Sequence, residues 1–157
     1  MVIEIRKAVP EDAEILTNIA RRTFLHDNEL KPASASPEGP PGHDSIEAQR
    51  QWIESCLYYK ALYKGQIVGG GMAWMENPEI FHIDGMYVDP DFQGLGIGSA
   101  LVAHILKSHA PGKKWVLETP SFSARNHHFY EKFGFIRTKE IPNDLGWSDI
   151  YYEKIIL

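Results

Sequence analysis

Apolar and polar residues alternate between Val2 and Arg6, with Val2, Glu4 and Arg6 set against Ile3 and Ile5, the two-residue period of a half-exposed strand. The period then lengthens. Pro10 opens a helix at a first-turn position where its missing N–H costs nothing, and Glu11 and Asp12 complement the positive helix end. Ile15, Leu16, Ile19, Ala20, Thr23 and Phe24 form one apolar stripe that fades near His26. From Asp27 to Ser45, Pro32, Ser34, Ser36, Pro37, Gly39, Pro40, Pro41 and Gly42 predict a long loop. A second helix is expected from Asp44, with Glu47 as capping-box partner and Ile46, Arg50, Ile53 and Leu57 on one side.

Tyr58 to Lys64 and Ile67 to Trp74 read as a hairpin closed by Lys64-Gly65-Gln66, and Met75 to Glu79 as a second turn around Asn77-Pro78. Ile80 to Val88 is the next strand. Helical spacing returns at Leu101, Val102, Ile105 and Leu106 and stops at Pro111-Gly112. A short buried strand from Lys114 to Glu118, a helix from Ser123 to Phe133 stopped by Gly134, and strands at Phe135 to Lys139 and Ser148 to Ile155 complete the chain. Strand, two helices, three strands, helix, strand, helix and two strands predict a mixed α/β domain with an antiparallel meander at its centre.

The 157 residues suit one domain spanning 1–157, and 43% hydrophobic with 24% charged residues excludes disordered and fibrous classes. Apolar runs are too short to cross a bilayer, and MVIEIRKAVPED is not a signal peptide, so a soluble, cytoplasmic protein without membrane partners is expected. A net charge of −5 argues against nucleic acid and suits a cationic substrate. The single Cys56 excludes an internal disulfide and reads as a small core hydrophobe.

The most informative stretch is Gln93-Gly94-Leu95-Gly96-Ile97-Gly98-Ser99, between a strand and a helix. Glycines let a backbone approach a ligand, and the first helical turn offers unpaired N–H groups, which together make an anion site. A Walker-type site needs a Lys after the last glycine, and Gly98-Ser99-Ala100 has none. A dinucleotide fingerprint finds Gly94 and Gly96 but meets Ser99 at its third place, with Glu118 about 20 residues on at a strand end.

Gln93-x-x-Gly96-x-Gly98 resembles the Q/R-x-x-G-x-G/A signature of the GNAT superfamily of N-acetyltransferases. Met86-Tyr87-Val88-Asp89-Pro90-Asp91-Phe92 resembles the strand and acidic turn before that signature. Phe129-Tyr130-Glu131-Lys132-Phe133-Gly134-Phe135 resembles the family's F-Y-x-K-x-G-F helix end, so the likeness covers about Ile80 to Thr138. It implies a GNAT-like acyl-CoA N-acyltransferase fold: a central, mostly antiparallel sheet with splayed central strands and flanking helices.

The resemblance further implies acetyl-CoA as donor, its pyrophosphate held by N–H groups of Gly94, Leu95, Gly96, Ile97, Gly98 and Ser99, with Gln93 steadying the loop or contacting the pyrophosphate. The pantetheine arm pairs like an added strand with the backbone near Met86 and Val88. A backbone N–H near Met86 to Val88 supports the oxyanion, and Tyr130 resembles the tyrosine that protonates the departing thiolate. For the base three residues stand: His82 and Asp84, two apart and so on one face with Met86, and Glu118 at the end of the next strand. The family's cofactor-touching Asn, seven residues before its tyrosine, is Ser123 here, so either Ser123 or Asn126 makes that contact.

None of the seven histidines has helical metal-site spacing, since His104 and His109 are five apart and His127 and His128 adjacent, and no metal is expected. Phe24, Trp52 and Trp74 are candidate walls of the acceptor pocket. Asp27, Glu29, Glu38 and Asp44 favour an amine-bearing small molecule or peptide. The expected activity is acetyl transfer to a primary amine in a ternary complex; an acyl-CoA-binding regulatory module without catalysis and a dinucleotide-binding protein are the alternatives. Pairing of the last strands between subunits, as the resemblance implies, gives a homodimer.

Overall fold

The computed structural model describes residues 2–27, 42–109 and 113–156. In chain order the elements are β1 (Ile3–Lys7), α1 (Ala13–Asp27), α2 (Ile46–Ser55), β2 (Leu57–Tyr63), β3 (Gln66–Asn77), β4 (Ile80–Val88), α3 (Ile97–Ser108), β5 (Lys114–Pro120), α4 (Ala124–Lys132), β6 (Ile136–Pro142) and β7 (Ser148–Ile155). That is the order the hydrophobic pattern predicts. The strands form one sheet, β1-β2-β3-β4-β5-β7-β6, antiparallel throughout except where β4 runs parallel to β5. No helix among the described residues is long and apolar enough to cross a membrane.

Side-chain alternation along the strands divides the interior into two cores. On one face Tyr59, Ala73, Phe81, Ile83, Trp115, Leu117 and Tyr152 pack with Leu101, Val102 and Ile105 of α3 and Tyr130 of α4. On the other, Tyr58, Met72 and Tyr87 pack with Leu16, Ile19 and Ala20 of α1 and Ile53 of α2. Cys56 is half-buried against this second core. The first core carries α3 and α4, on the side where the resemblance places the acetyl donor, and the second carries α1 and α2, on the side of the expected acceptor pocket.

Several local expectations change. Asp44 does not cap α2: Ser45 does, its hydroxyl accepting from the Ala48 N–H at 3.1 Å. Asp44 lies in the preceding turn, where its carbonyl accepts from Arg21. Ile15 is half exposed, because the buried stripe of α1 centres on Ala13, Leu16, Ala20 and Thr23, and Ile15 sits about 100° away around the helix. β3 continues through Met75 to Asn77, whose side-chain oxygen accepts from the Glu79 and Ile80 N–H groups and tightens the turn. Phe135 belongs to the core rather than to β6. Most of the expected loop, residues 28–41, and the Pro111-Gly112 stop lie outside the described residues.

Candidate active site

β4 ends at Val88 and the chain enters a short turn in which Asp89 accepts from the Asp91 N–H at 3.0 Å. Gly94 and Gly96 then adopt φ of 81° and 85°, a region closed to most side chains, and Gly96 becomes the N-cap of α3. A Cβ placed on either glycine would meet nothing beyond its chain neighbours within 4 Å. The first intrahelical bond runs from Ala100 to Gly96, so the N–H groups of Ile97, Gly98 and Ser99 precede it without a side-chain cap or an acidic residue in the turn. These are the donors an anion needs. Gln93 spans the loop's base: its Nε2 donates to the Val88 carbonyl at 3.1 Å, and its Oε1 accepts from Arg125 of α4.

The gap beside this loop comes from the register. β4 and β5 pair only at Ile80–Lys114, Phe81–Trp115 and His82–Val116. Beyond His82 the strands part, and β5 continues on β7 alone. In the same stretch β4 carries a bulge: Met72 pairs with Asp84 and Gly70 with Tyr87, so Gly85 and Met86 together oppose Gly71. Gly85 takes φ 57°, and its N–H donates to Asp84 Oδ1 at 2.8 Å.

This bulge corrects one expectation. His82 and Asp84 share the acceptor-side face, being paired with Trp74 and Met72, but Met86 does not join them. The extra residue reverses the alternation, so Met86 and Val88 pack on the donor-side core while Tyr87 enters the acceptor-side core. The Tyr87 hydroxyl there meets Tyr58 at 2.5 Å, and Tyr58 donates to Gln49 at 2.6 Å. A Cβ at Gly70 would come within 2.7 Å of that Tyr87 oxygen, which accounts for a glycine in the middle of β3.

Tyr130 is 7% exposed, wedged edge-on between Phe129 and Phe135. Burial raises its pKa, and the nearby Asp84 charge raises it further, so the phenol keeps its proton well into alkaline pH. Asp84 is itself pushed above the ordinary carboxylate range by burial, opposed by the Gly85 N–H and by His82. Asp84 thus feels His82, and Tyr130 feels Asp84, along one edge of the splay. His82 stacks on Trp74, with centroids 3.8 Å apart and planes at 7°, and its Nε2 lies 2.9 Å from Glu76 Oε1.

The other expected site residues are placed differently. Glu118 lies on the acceptor-side face of β5 but faces β7, paired in register with Tyr151, whose phenol it pushes to a higher pKa. Ser123 is the buried N-cap of α4 and makes no side-chain cap hydrogen bond, whereas Asn126 donates to Thr119 Oγ1 at 3.3 Å. Phe24 meets His43 edge-on at 5.3 Å, and Trp52 packs on the acceptor-side core. Glu76 and Arg125 went unnoticed in the sequence. The register of the β3–β4 hairpin holds the signal for Glu76, and Arg125 reaches the loop only through the tertiary approach of α4.

A family model described as "Acetyltransferase (GNAT) family" matches residues 18–135. Over 66 residues, the chain is 38% identical to a protein named peptidyl-lysine N-acetyltransferase YjaB, from Salmonella typhimurium; the match spans 41% of this chain and 43% of that relative. Among solved structures, a PaiA N-acetyltransferase of Thermoplasma acidophilum, in complex with coenzyme A, superposes with a TM-score of 0.84 at 20% identity, covering 99% of this chain and 100% of that one. Ard1 of Thermoplasma volcanium gives 0.77 at 23% identity over 100% and 99%. YncA of Salmonella typhimurium, solved with acetyl-CoA, gives 0.76 at 16% over 99% and 94%. At these identities the structural likeness speaks for the fold.

Proposed function

The chain belongs to the Acetyltransferase (GNAT) family, and from that premise we propose that it transfers an acetyl group from acetyl-CoA to a primary amine by direct attack in a ternary complex. The residues fit such a donor: uncapped N–H groups at the start of α3, glycines facing open space, and a gap between β4 and β5 leading to Tyr130. Acetyl-CoA supplies the activated acyl group as a thioester. Everything else falls to the chain.

The backbone of Gly94 to Ser99 binds the pyrophosphate, and the β4 backbone at Met86 and Val88 lies alongside the pantetheine amides. Asp84 takes a proton from the acceptor ammonium, since its raised pKa makes it a better base than an ordinary carboxylate. His82, aligned by Glu76, leads the proton toward solvent. The neutral amine attacks, a backbone N–H at the β4 bulge supports the developing oxyanion, and Tyr130 donates its proton to the departing thiolate as the C–S bond breaks. The single observation that carries this reading is the glycine loop whose uncapped N–H groups open α3 beside the gap where β4 and β5 part.

The acceptor is an amine-bearing small molecule or peptide. Glu76, Asp84 and Glu118 share one face of the sheet with Trp74 and Tyr151, a surface suited to an ammonium group. The relative named for peptidyl-lysine acetylation favours a lysine side chain. β6, exposed along its whole length, is the edge through which a homodimer would pair. A panel of primary amines, scored by thiol release from acetyl-CoA, tests the reaction. Release with at least one amine supports it; acetyl-CoA binding with release by none would make the protein an acyl-CoA-binding module.

A further inference from the structure

Arg125 has no part in the reaction above, and its position is electrostatically awkward. It lies in the first turn of α4, where the helix dipole disfavours a cation, and that turn contains no acidic residue to offset it. None of the ion pairs among the described residues includes it. Asp89, the buried acid just before the loop, is committed to Arg22. The Arg125 guanidinium instead donates through Nη1 to Oε1 of Gln93, whose own amide is tied to the Val88 carbonyl. A neutral amide oxygen fixes the direction of a guanidinium and leaves its charge unbalanced. In a chain of net charge −5, a cation is therefore held beside the candidate cofactor loop without a carboxylate partner among the described residues.

We propose that Arg125 pairs with a phosphate group of coenzyme A and so makes the protein select its donor by phosphate charge. The assignment rests on the acetyl-CoA reading of the loop. A planar guanidinium with one N–H spent on Gln93 still has donors for two phosphate oxygens. Coenzyme A offers this chemistry twice, at its pyrophosphate and at its 3′-phosphate.

Calorimetric titration of acetyl-CoA and of 3′-dephospho-acetyl-CoA into wild type, Arg125→Gln and Arg125→Lys separates the cases. Arg125 is exposed, so neither variant disturbs a core, and circular dichroism melts serve as the folding control. Arg125→Gln should bind acetyl-CoA about tenfold more weakly, while Arg125→Lys, which keeps the charge but not the planar fork, should lose about threefold. If the Arg125→Gln loss disappears with the dephospho donor, the partner is the 3′-phosphate; an equal loss with both donors assigns the pyrophosphate. The proposal is overturned if Arg125→Gln binds both donors within about twofold of wild type, or if Gln and Lys lose affinity equally. Wild-type protein that binds neither donor would overturn the acetyl-CoA reading together with this assignment, whereas failure of the Arg125 assignment alone leaves wild-type binding intact.

Discussion

The two sides of the β4–β5 splay are built by different means. On the donor side the candidate anion-binding groups are main-chain N–H groups at the start of α3, set by two glycines within one short segment of chain. On the acceptor side the chemistry belongs to side chains carried by separate strands: Trp74 and Glu76 on β3, His82 and Asp84 on β4, Glu118 on β5 and Tyr151 on β7. A backbone site is written in local spacing, whereas a side-chain site assembled across strands is written in register. The first should tolerate change in most side chains and fail with its glycines; the second should fail with single carboxylates.

Tyr130 and Asp84 stand where the two sides meet, and substitutions there should have the largest effects. Tyr130→Phe removes the proton donor and should lower kcat by about a thousandfold while leaving acetyl-CoA affinity close to wild type, as steady-state rates and calorimetry would read. Asp84→Asn should cost about a hundredfold in kcat/KM for the amine. The pH profile sharpens that prediction. Because the Asp84 pKa is raised, the wild-type rate should climb with pH through a value above the ordinary carboxylate range, and Asp84→Asn should lose that limb. Tyr130, whose pKa is also raised, should impose no fall on the alkaline side of neutrality.

On the donor side, Gly96→Val forces a β-branched residue into φ 85° and should weaken acetyl-CoA binding about tenfold, with acceptor KM little changed. Loss of affinity for the amine instead would contradict the separation of the two sides. The smallest expected effect concerns stability. A carboxyl whose folded pKa lies above its unfolded value contributes stability that is fully present below the unfolded pKa and is lost as pH rises through the folded one. Asp84→Asn should therefore stabilise the fold at neutral pH, by less than about 1 kcal/mol because water still reaches one edge of a carboxylate otherwise surrounded by protein and screens it, and the gain should vanish in acid. Thermal melts at the two pH values measure it.

How much of this was legible in the chain follows the same division. The bounds of β4 and β7, the glycine loop and the position of Tyr130 could all be read from local period and motif. The face shared by His82 and Asp84 was readable too, but the bulge at Gly85 was not, because an extra residue in one strand leaves no mark on a two-residue period until its partner strand is known. Met86 was therefore put on the wrong face. The cap of α2 went astray because Asp44 and Ser45 are both good capping residues, and only the backbone angles choose between them. Glu76, Arg125 and the Tyr87–Tyr58–Gln49 chain of hydrogen bonds depend on contacts between distant segments.

The central claim is that the two sides converge on one proton-transfer cleft at Asp84 and Tyr130. A double-mutant cycle on kcat/KM, using wild type, Asp84→Asn, Tyr130→Phe and the double variant with the best amine, tests it directly. Groups that serve one transition state should be strongly non-additive, so the double variant should be about as slow as the slower single variant. Losses that multiply independently would contradict a shared cleft.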